Sequence, residues 1–380
     1  MNRRGERKGD GRHDSGGRGQ RPGVTLATIA AELGVSRMTV SNAYNHPDQL
    51  SATLREKILE TAKRLGYPGP NPLAATLSRG RVGALGLLFD DPLSYAFTDP
   101  ASVLFFGGIA EVCERRQVGL VLVPSGVETL GQADLTRVAL VDGFIAYCDI
   151  ADDDRLEAIE ERGLPMVIVD GPRRPGAHHV GLDDRGAARA AAQHLIDLGH
   201  QRFGVIPFQL APDSCEGAAG PERQAAIRFH TSLERLRGYR DALEAAGIDW
   251  TTVPVEERIP QGRDAGRRSA GALLDRAERP TALLAMSDEL AIGALQAAED
   301  RGIAVPRELS VVGFDDTPAA GHARPPLTTI WQPHREKGTA AARLLLEPGD
   351  AGEPVEAELT LPTKLVVRAS SAPASPLAIR

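Results

Sequence analysis

Hydrophobic and polar residues follow two different rhythms along this chain of 380 residues. Near the start, between Val24 and Asn45, the stretch VTLATIAAELGVSRMTVSNAYN places apolar residues three and four positions apart in two short runs. This spacing predicts two amphipathic helices, because residues three and four apart share one helix face. The two apolar faces hold Ile29, Ala30 and Leu33 in the first run and Val40 and Ala43 in the second.

The residues around these runs predict a tight turn between two capped helices. Thr25 and Ser36 each precede a run, where a hydroxyl oxygen can accept a hydrogen bond from a free backbone N–H. Gly34, followed by Val35, suits a turn that requires close backbone approach or a positive φ. Two short helices joined in this way predict a helix-turn-helix, whose second helix enters the major groove of DNA.

A third helix is predicted from Ser51 to Leu65. Its apolar face holds Leu54, Ile58, Ala62 and Leu65. Gly66 ends this helix, and the following residues up to Pro72 are rich in proline, which is typical of a linker. A short helix-capable segment, 73–78, comes next. We therefore expect a helical domain over residues 24–68 and a hinge over residues 69–81.

From Val82 onward, apolar runs of strand length alternate with helical patterns. The predicted strands are 82–89, 119–123, 143–147, 165–170, 203–206, 282–286 and 310–314. The predicted helices are 101–117, 152–162, 184–198, 232–246, 263–277 and 288–301. Such alternation is typical of parallel sheets covered on both faces, and the length predicts two α/β lobes with a cleft between them. We assign residues 82–372 to this body and 373–380 to a tail.

Residues 209–230 interrupt the alternation, because they contain two prolines and two glycines and have little periodicity. They are predicted to be a long surface loop, and a lid over the cleft is the functional alternative.

Charge is distributed unevenly along the chain. Residues 1–80 carry 13 lysines and arginines against seven acids, whereas the remaining residues carry 31 against 44. A basic head on an acidic body indicates that the head meets a polyanion. The leader, residues 1–23, is basic and glycine-rich and has no apolar segment, so we expect a disordered leader rather than a signal peptide, with a phosphate-attracting arm as the alternative.

The remaining composition indicates a cytoplasmic protein without cofactor or metal. Cys113, Cys148 and Cys215 are widely spaced, which argues against a disulfide framework, and no apolar run is long enough to span a membrane. The pair His178-His179 is interpreted as structural. The nucleophile-elbow, Walker and zinc-protease motifs are absent, so an enzyme is not expected.

The order of these parts resembles the lactose-repressor/galactose-repressor family of bacterial transcription regulators. The resemblance is carried by the helix-turn-helix stretch and by LREKILETAKRLGY, PNPLAATLSRG, LERLRGYRDALEAAGI, AMSDELAIGALQAAEDRGIAVPRELSVVGFDD and PPLTTIWQP. It implies an all-α head on a body of the type I periplasmic-binding-protein kind. It also implies a homodimer that binds a pseudo-palindromic operator under the control of a small molecule. Repression is expected, with activation and corepression left open.

Candidate DNA-contacting residues lie in the first half of the second predicted helix. Arg37 suits guanine, Asn42 adenine and Met38 a thymine methyl, whereas Thr39 and Ser41 suit phosphate. Solvation of these polar side chains is the alternative. The candidate set is completed by Thr25, Leu26 and Ser36. Asn42 departs from the family, which usually has arginine there, so the operator preference of relatives does not transfer.

Leu77, in PNPLAATLSRG, matches the leucine that family members insert into the minor groove. An apolar wedge of this kind kinks the duplex, and the short hinge is expected to fold only when two copies meet on DNA. Packing of Leu77 on the body is the alternative.

Five residues of the body are candidates for contacting the small molecule. The resemblance implies that Arg235, in Arg235-Leu236-Arg237-Gly238, and Asp315, at the end of a strand, bind ligand hydroxyls. A surface ion pair and a helix cap are the respective alternatives. Further candidates are Asp170, Ser287 and Trp331, with Asp288 expected to cap the next helix. For Trp331, as for Tyr95 and Phe97, ring stacking and core packing both stay open.

A sugar or related polyol is the expected effector. Because few residues follow RASSAP, no extended heptad tail for tetramer formation is expected. A transport-type solute-binding protein shares the body, but it does not require a DNA-binding head.

Overall fold

The computed structural model describes residues 24–69, 80–89, 92–124, 135–147, 154–347 and 357–375. Contacts divide the chain into two compact units, Met1–Arg81 and Val82–Arg380. The predictions for the leader, for Leu77 and most of the hinge, for Cys148 and for residues 376–380 fall outside the described residues.

The first unit contains the three predicted helices. They are α1 (Leu26–Leu33), α2 (Arg37–Asn45) and α3 (Ala52–Leu65), with a 3-10 turn at Pro47–Gln49. The caps form as predicted: Thr28 N–H donates to Thr25 Oγ1 at 3.3 Å, and Thr39 N–H donates to Ser36 Oγ at 3.0 Å. Gly34 ends α1 with a φ of 65°, a left-handed conformation that glycine adopts without strain. Ser51, predicted as the first residue of the third helix, is its N-cap instead.

The core of this unit is small and comes from all three helices. Its buried apolar residues are Ile29, Ala30, Val40, Ala43, Ile58 and Ala62. So few buried side chains give a fold of modest stability, in which each of them counts.

The second unit begins with the first lobe. Its strands are β1 (Ala84–Phe89), β2 (Gly119–Pro124), β3 (Phe144–Tyr147), β4 (Met166–Val169) and β5 (His178–Leu182). Its helices are α4 (Leu93–Ala96), α5 (Pro100–Arg116), α6 (Leu135–Val138) and α7 (Asp154–Glu161). The strands pair in parallel, as the continuous apolar runs predicted.

The second lobe repeats this architecture. Its main strands are β6 (Phe203–Ile206), β9 (Ala282–Ala285), β10 (Ser310–Asp315) and β11 (Thr328–Trp331), and a small hairpin is formed by β7 (Gly217–Ala218) and β8 (Glu256–Glu257). Its helices are α8 (Asp184–Asp197), α9 (Pro221–Ala225), α10 (His230–Ala245), α11 (Arg263–Leu274), α12 (Asp288–Asp300) and α13 (Pro318–His322).

The chain then crosses back, so both lobes are built from distant segments. It continues with α14 (His334–Leu346), β12 (Glu358–Leu361) and β13 (Lys364–Val366). The first sheet has the order β12-β5-β4-β3-β1-β2 and the second has the order β13-β11-β10-β9-β6. In the second sheet β13 runs antiparallel to β11. The largest buried apolar cluster fills the second lobe, and two smaller clusters cover the two faces of the first sheet.

Two features differ from the sequence predictions. Strands β5, β11, β12 and β13 and helix α14 were not predicted. The segment 209–230 is not a plain loop, because it contains β7 and α9 and is held by polar contacts. In these contacts Arg223 binds both Asp213 and the buried Glu257, and Glu257 Oε1 accepts the Leu210 N–H at 2.8 Å.

None of the described helices combines the length and apolar character needed to cross a bilayer. Within the same residues, His, Cys, Asp and Glu side chains form no cluster of three or more that could hold a metal ion.

Candidate functional site

The first half of α2 presents polar and apolar side chains to solvent. Arg37 is exposed and Met38 is 69% exposed, although a buried position is usual for methionine. Thr39 Oγ1 lies 2.9 Å from Ser36 Oγ, so these two hydroxyls order the helix start. This face is available for a ligand that runs along the helix.

The other candidate residues of this unit are partly engaged within it. Asn42 Nδ2 donates to Gln49 Oε1 at 2.9 Å, and Ser41 Oγ accepts from Asn45 Nδ2 at 3.3 Å. Thr25 forms a capping box with Thr28, and Leu26 packs against the small core. Asn42 therefore has to leave Gln49, or bring it along, to bind a base edge.

In the second unit, a cavity of about 270 Å³ opens where strand ends from both lobes converge. Tyr147 ends β3, Asp170 directly follows β4 and Asp315 ends β10. The carboxyl ends of parallel strands are where open α/β sheets bind ligands. The described side chains lining the cavity include Tyr95, Asp99, Ser102, Tyr147, Asp170, Phe208, Gln209, Pro212, Phe229, Thr231, Ser232, Arg235, Gln261, Ser287, Asp315, Gln332 and His334.

Arg235 reaches the cavity from α10 as a buried cation, with 3% of its surface exposed. Its Nε donates to Asp184 Oδ1 at 2.8 Å and its Nη1 donates to the Met286 carbonyl at 2.5 Å. The guanidinium carbon also lies 3.6 Å from the centre of the Phe314 ring. The alternative of a surface ion pair is therefore wrong, since the pair with Asp184 is buried.

Gly238 explains why this arginine can reach Asp184. A Cβ at Gly238 would lie 2.2 Å from the Arg185 carbonyl oxygen of α8, so glycine permits the close approach of α10 to α8. The spacing of arginine and glycine in the RLRG stretch therefore has a packing cause.

Asp315 is the centre of a hydrogen-bonded group on the second lobe. Its Oδ1 accepts from Gln332 Nε2 at 2.6 Å, and its Oδ2 lies 3.4 Å from the Asp288 amide nitrogen. Burial, reinforced by the nearby Asp288 carboxylate, raises the pKa of Asp315 well above its ordinary value. Asp315 adopts a φ of 123°, a strained backbone conformation of the kind that clusters at functional sites.

Asp170 forms the matching group on the first lobe. Its Oδ2 accepts from the ammonium of Lys337, which is fully buried, and Lys337 Nζ also donates to Gln332 Oε1 at 2.8 Å. Through Gln332, a continuous polar chain therefore joins Asp170 of the first lobe to Asp315 of the second. Burial raises the pKa of Asp170, against the opposing effect of the Lys337 charge.

Two buried polar atoms at this cavity lack hydrogen-bond partners among the described residues, Asp170 Oδ1 and His334 Nε2. His334 Nε2 lies 3.7 Å from Asp315 Oδ1, which is too long for a hydrogen bond. Burial also lowers the pKa of His334 well below its ordinary value, so its ring is neutral. Because an unsatisfied buried polar atom is costly, two of them in one cavity indicate a place for ligand hydroxyls or water.

The structure brings four of the five candidate residues of the body together, namely Arg235, Asp315, Asp170 and Ser287. Trp331 does not line the cavity; its ring packs under the Lys364 ammonium, 5.1 Å away. Tyr95 lines the cavity, whereas Phe97 is 60% exposed and packs edge-on against Phe106.

The cap predicted for Asp288 is also wrong. Ser287 caps α12, with its Oγ accepting from the Leu290 N–H at 3.2 Å. Asp288 is instead a fully buried acceptor for the Thr317 amide and for the hydroxyls of Thr317 and Thr329. Burial raises the pKa of Asp288 to about 7.

Sequence reasoning missed Asp99, Gln332, His334 and Lys337. The segment around Trp331 was recognised, but the residues that reach the cavity follow it by one and three positions. The isolated stretch QPHREK carried a usable signal, because three of its residues are ionisable or amide side chains next to an apolar strand.

A larger groove of about 610 Å³ lies on the second lobe, between α10 and the segment 218–227. Its described lining is mostly apolar and includes no carboxylate other than the exposed Glu244. It does not lie at the strand ends, so we assign the functional site to the smaller cavity.

Comparisons with known proteins agree with both units. The family model for bacterial regulatory proteins of the lacI family matches residues 25–71, and a periplasmic binding protein-like domain matches residues 192–371. An HTH-type transcriptional regulator of Mycolicibacterium smegmatis is 44% identical over 340 residues, which is 87% of this chain and 92% of that protein.

Two solved structures are similar over most of the chain. The lac repressor dimer bound to operator and the anti-inducer ONPF has a TM-score of 0.71 at 26% identity, over 92% of this chain and 99% of that one. The CelR–cellobiose complex has a TM-score of 0.63 at 32% identity, over 92% of this chain and all of that one. Taken with the helix-turn-helix and the two-lobed body, these matches show that the chain belongs to the lacI family of bacterial transcriptional regulators.

Proposed function

We propose that this chain is a homodimeric, operator-binding repressor whose affinity for DNA is set by a small polyhydroxylated molecule in the cavity. The observation that carries this proposal is the pair of unsatisfied buried polar atoms, Asp170 Oδ1 and His334 Nε2, at the strand ends of a chain that also has a helix-turn-helix. A structural relative, CelR, has been solved with cellobiose, which supports a sugar-like ligand.

The exposed face of α2 supports the DNA-reading half of the proposal. Arg37 and Met38 extend from the first turn, which is the part of a recognition helix that reaches base edges. We propose that Arg37 contacts guanine, with Met38 and Asn42 reading neighbouring bases and Thr25, Leu26, Ser36, Thr39 and Ser41 near phosphates. A pseudo-palindromic operator follows from the two-fold symmetry of a dimer.

Binding of labelled duplexes from the promoter region of its own gene tests this half. Arg37→Ala should cost about 1–3 kcal/mol of discrimination at one base pair, and Glu60→Gln, an exposed change on α3, is the control. Equal weakening on every sequence would contradict base reading by Arg37. Sedimentation of the free protein should show a dimer.

Leu77 is proposed as the minor-groove wedge on its motif alone, since it lies outside the described residues. Leu77→Ala should weaken operator binding without changing affinity for the small molecule. Unchanged operator affinity in this variant would remove the proposed role.

Thermal unfolding in the presence of candidate sugars tests the sensing half. A ligand present at 100 times its dissociation constant should raise the free energy of unfolding by about 2.7 kcal/mol. Repeating the ligand titration with operator present gives the sign of the coupling, because linkage between two sites is reciprocal. A ligand that binds equally well with and without operator would contradict the regulatory role.

A further inference from the structure

The unsatisfied atoms of the cavity define which chemical group they need. A hydroxyl donates to the Asp170 carboxylate, and it either donates to or accepts from His334 Nε2, whichever ring nitrogen carries the proton. An ammonium can only donate, and a carbonyl can only accept. Asp315 Oδ2, held only by the Asp288 amide nitrogen at 3.4 Å, can accept a further hydroxyl.

The charges around the cavity disfavour an anionic ligand. Five carboxyl groups line it or lie directly behind it: Asp99, Asp170, Asp184, Asp288 and Asp315. The two cations at the described part of the site, Arg235 and Lys337, are each already bound to one of these carboxylates. A phosphate or carboxylate on the ligand would therefore face like charges with no free positive partner there.

The raised pKa values of the cavity acids agree with this imbalance. Burial raises the pKa of Asp99, and nearby acidic groups add to the effect at Asp99, Asp170 and Asp315. A site that already holds its own carboxyl groups at elevated pKa values has no electrostatic capacity for one more negative charge.

The walls of the cavity limit the ligand to one ring. Its volume, about 270 Å³, lies at the lower end of the range for small-molecule sites, roughly 300–1,000 Å³. One wall comes from Gln209 and Pro212 in the segment that Arg223 and Glu257 anchor. Aromatic rings from Tyr95, Tyr147, Phe208 and Phe229 supply apolar surface for the C–H face of a ring.

We propose that the cavity selects an uncharged, single-ring polyol and rejects its phosphorylated, carboxylated and two-ring counterparts, with His334 and Asp170 reading the hydroxyl groups. This selectivity rests on the proposed function, that the cavity binds the regulatory small molecule. His334 is then a specificity-determining residue, because no other group at its position reads a hydroxyl while remaining neutral beside Asp315 and Lys337.

Calorimetric titration of the full chain at pH 7 tests the charge and size limits. The probes are neutral aldohexoses, aldopentoses and cyclitols, their phosphate monoesters, the matching uronic acids, and cellobiose and maltose. At least one neutral single ring should bind, and its phosphate and acid should bind at least about 100-fold more weakly. The proposal is overturned if no neutral single ring binds, or if a charged or two-ring probe binds as well as the best neutral one.

His334→Phe tests the reading of the hydroxyl group. The substitution keeps an aromatic ring but removes both nitrogens, so affinity for the neutral ligand should fall by about tenfold or more. The midpoint of thermal unfolding of the free variant should not fall, because an unsatisfied buried polar atom has been removed. His322→Phe, on the exposed helix α13, is the matched control and should bind as the unchanged protein does.

A gain of binding provides the complementary test. Gln261 lines the cavity without an ion pair among the described residues, and Gln261→Arg would supply the missing free cation. This variant should narrow the difference in affinity between the neutral ring and its phosphate; an unchanged difference, or an unchanged affinity in His334→Phe, counts against the proposal.

These outcomes separate the inference from the proposed function. If a neutral ring binds selectively but never changes operator affinity, the regulatory proposal fails and the selectivity stands. If a sugar phosphate controls operator affinity, the selectivity fails and the regulatory proposal stands.

Discussion

The head and the cavity achieve recognition with opposite uses of burial. In the head, Arg37 and Met38 stand exposed on a helix whose polar contacts are made within one turn. In the cavity, Arg235, Asp170 and Asp315 are buried, and their partners lie tens to hundreds of positions away in the sequence. Local contacts suffice for a surface that reads a rigid polymer, whereas a small solute has to be surrounded.

This difference predicts different costs for mutation. A side chain of the α2 surface can be removed with little effect on folding, because water replaces its contacts. A charged side chain of the cavity leaves its partner buried and uncompensated. The contrast can be tested from the body outward to the head.

The largest effect is expected for Arg235→Ala. It leaves the Asp184 carboxylate, 6% exposed, without its cation, and breaking a buried pair in this way costs about 3–5 kcal/mol. Urea unfolding of the body should show the loss as a lower midpoint. Arg237→Ala, two residues along the same helix, removes an exposed pair with Glu234 and should cost less than about 1 kcal/mol. Similar costs for both variants would contradict the buried-pair interpretation.

The next effect is expected in the core of the head. Ile58 is fully buried among few other side chains, and Ile58→Ala should cost the head about 2–5 kcal/mol. Operator binding should be lost while calorimetric affinity for the cavity ligand stays unchanged. The control is Lys57→Ala, an exposed neighbour, expected to change stability by less than about 0.5 kcal/mol. Loss of ligand affinity in Ile58→Ala would show that the two regions are not separable.

The sequence was most informative where structure is local. The head was predicted almost completely, because caps, turn glycine and apolar spacing all act within a few residues. Strand β5, His178–Leu182, was missed because polar histidines and a glycine interrupt its apolar pattern, although His179 Nε2 binds the Gly171 carbonyl. Helix α14 was missed partly because it contains Gly338, where a Cβ would lie 2.1 Å from the Phe105 carbonyl oxygen.

The cavity was predicted in part, and only with the help of the family resemblance. Arg235 and Asp315 sit in stretches with distinctive patterns, RLRG and GFDD. The link from Lys337 through Gln332 depends on the chain crossing between lobes, which no local pattern encodes. The placing of Trp331 was wrong because the last strand residue faces Lys364.

A smaller effect is expected from pH. Burial raises the pKa of Asp288 to about 7 in the folded protein, against about 3.9 in the unfolded chain. Between these values the folded state holds a proton that the unfolded state has released, so the free energy of unfolding falls as pH rises from 4 to 7. Asp288→Asn should remove on the order of 2 kcal/mol of this fall, since an amide can still bond to Thr317 and Thr329.

Urea unfolding at several pH values measures this slope. The slope should be reduced rather than abolished, because Asp315, which faces Asp288, has a raised pKa of its own and acts in the same direction. Asp154→Asn, an exposed carboxylate at the start of α7, is the control and should leave the slope unchanged. A steeper slope in Asp288→Asn would contradict the assignment.

The smallest effect on stability, and the sharpest test of the head, is expected at Ser36. Its Oγ accepts the Thr39 N–H at 3.0 Å, and Ser36→Ala should cost about 1 kcal/mol through loss of this cap. Ser36→Asp keeps a good cap but adds a negative charge at the start of α2. If α2 lies against DNA, this variant should fold as stably as the unchanged protein and yet bind operator at least about tenfold more weakly, because its carboxylate meets the phosphates. Operator binding at full strength by Ser36→Asp would place the start of α2 away from the duplex, and the resemblance between this helix and a recognition helix would then be one of shape alone.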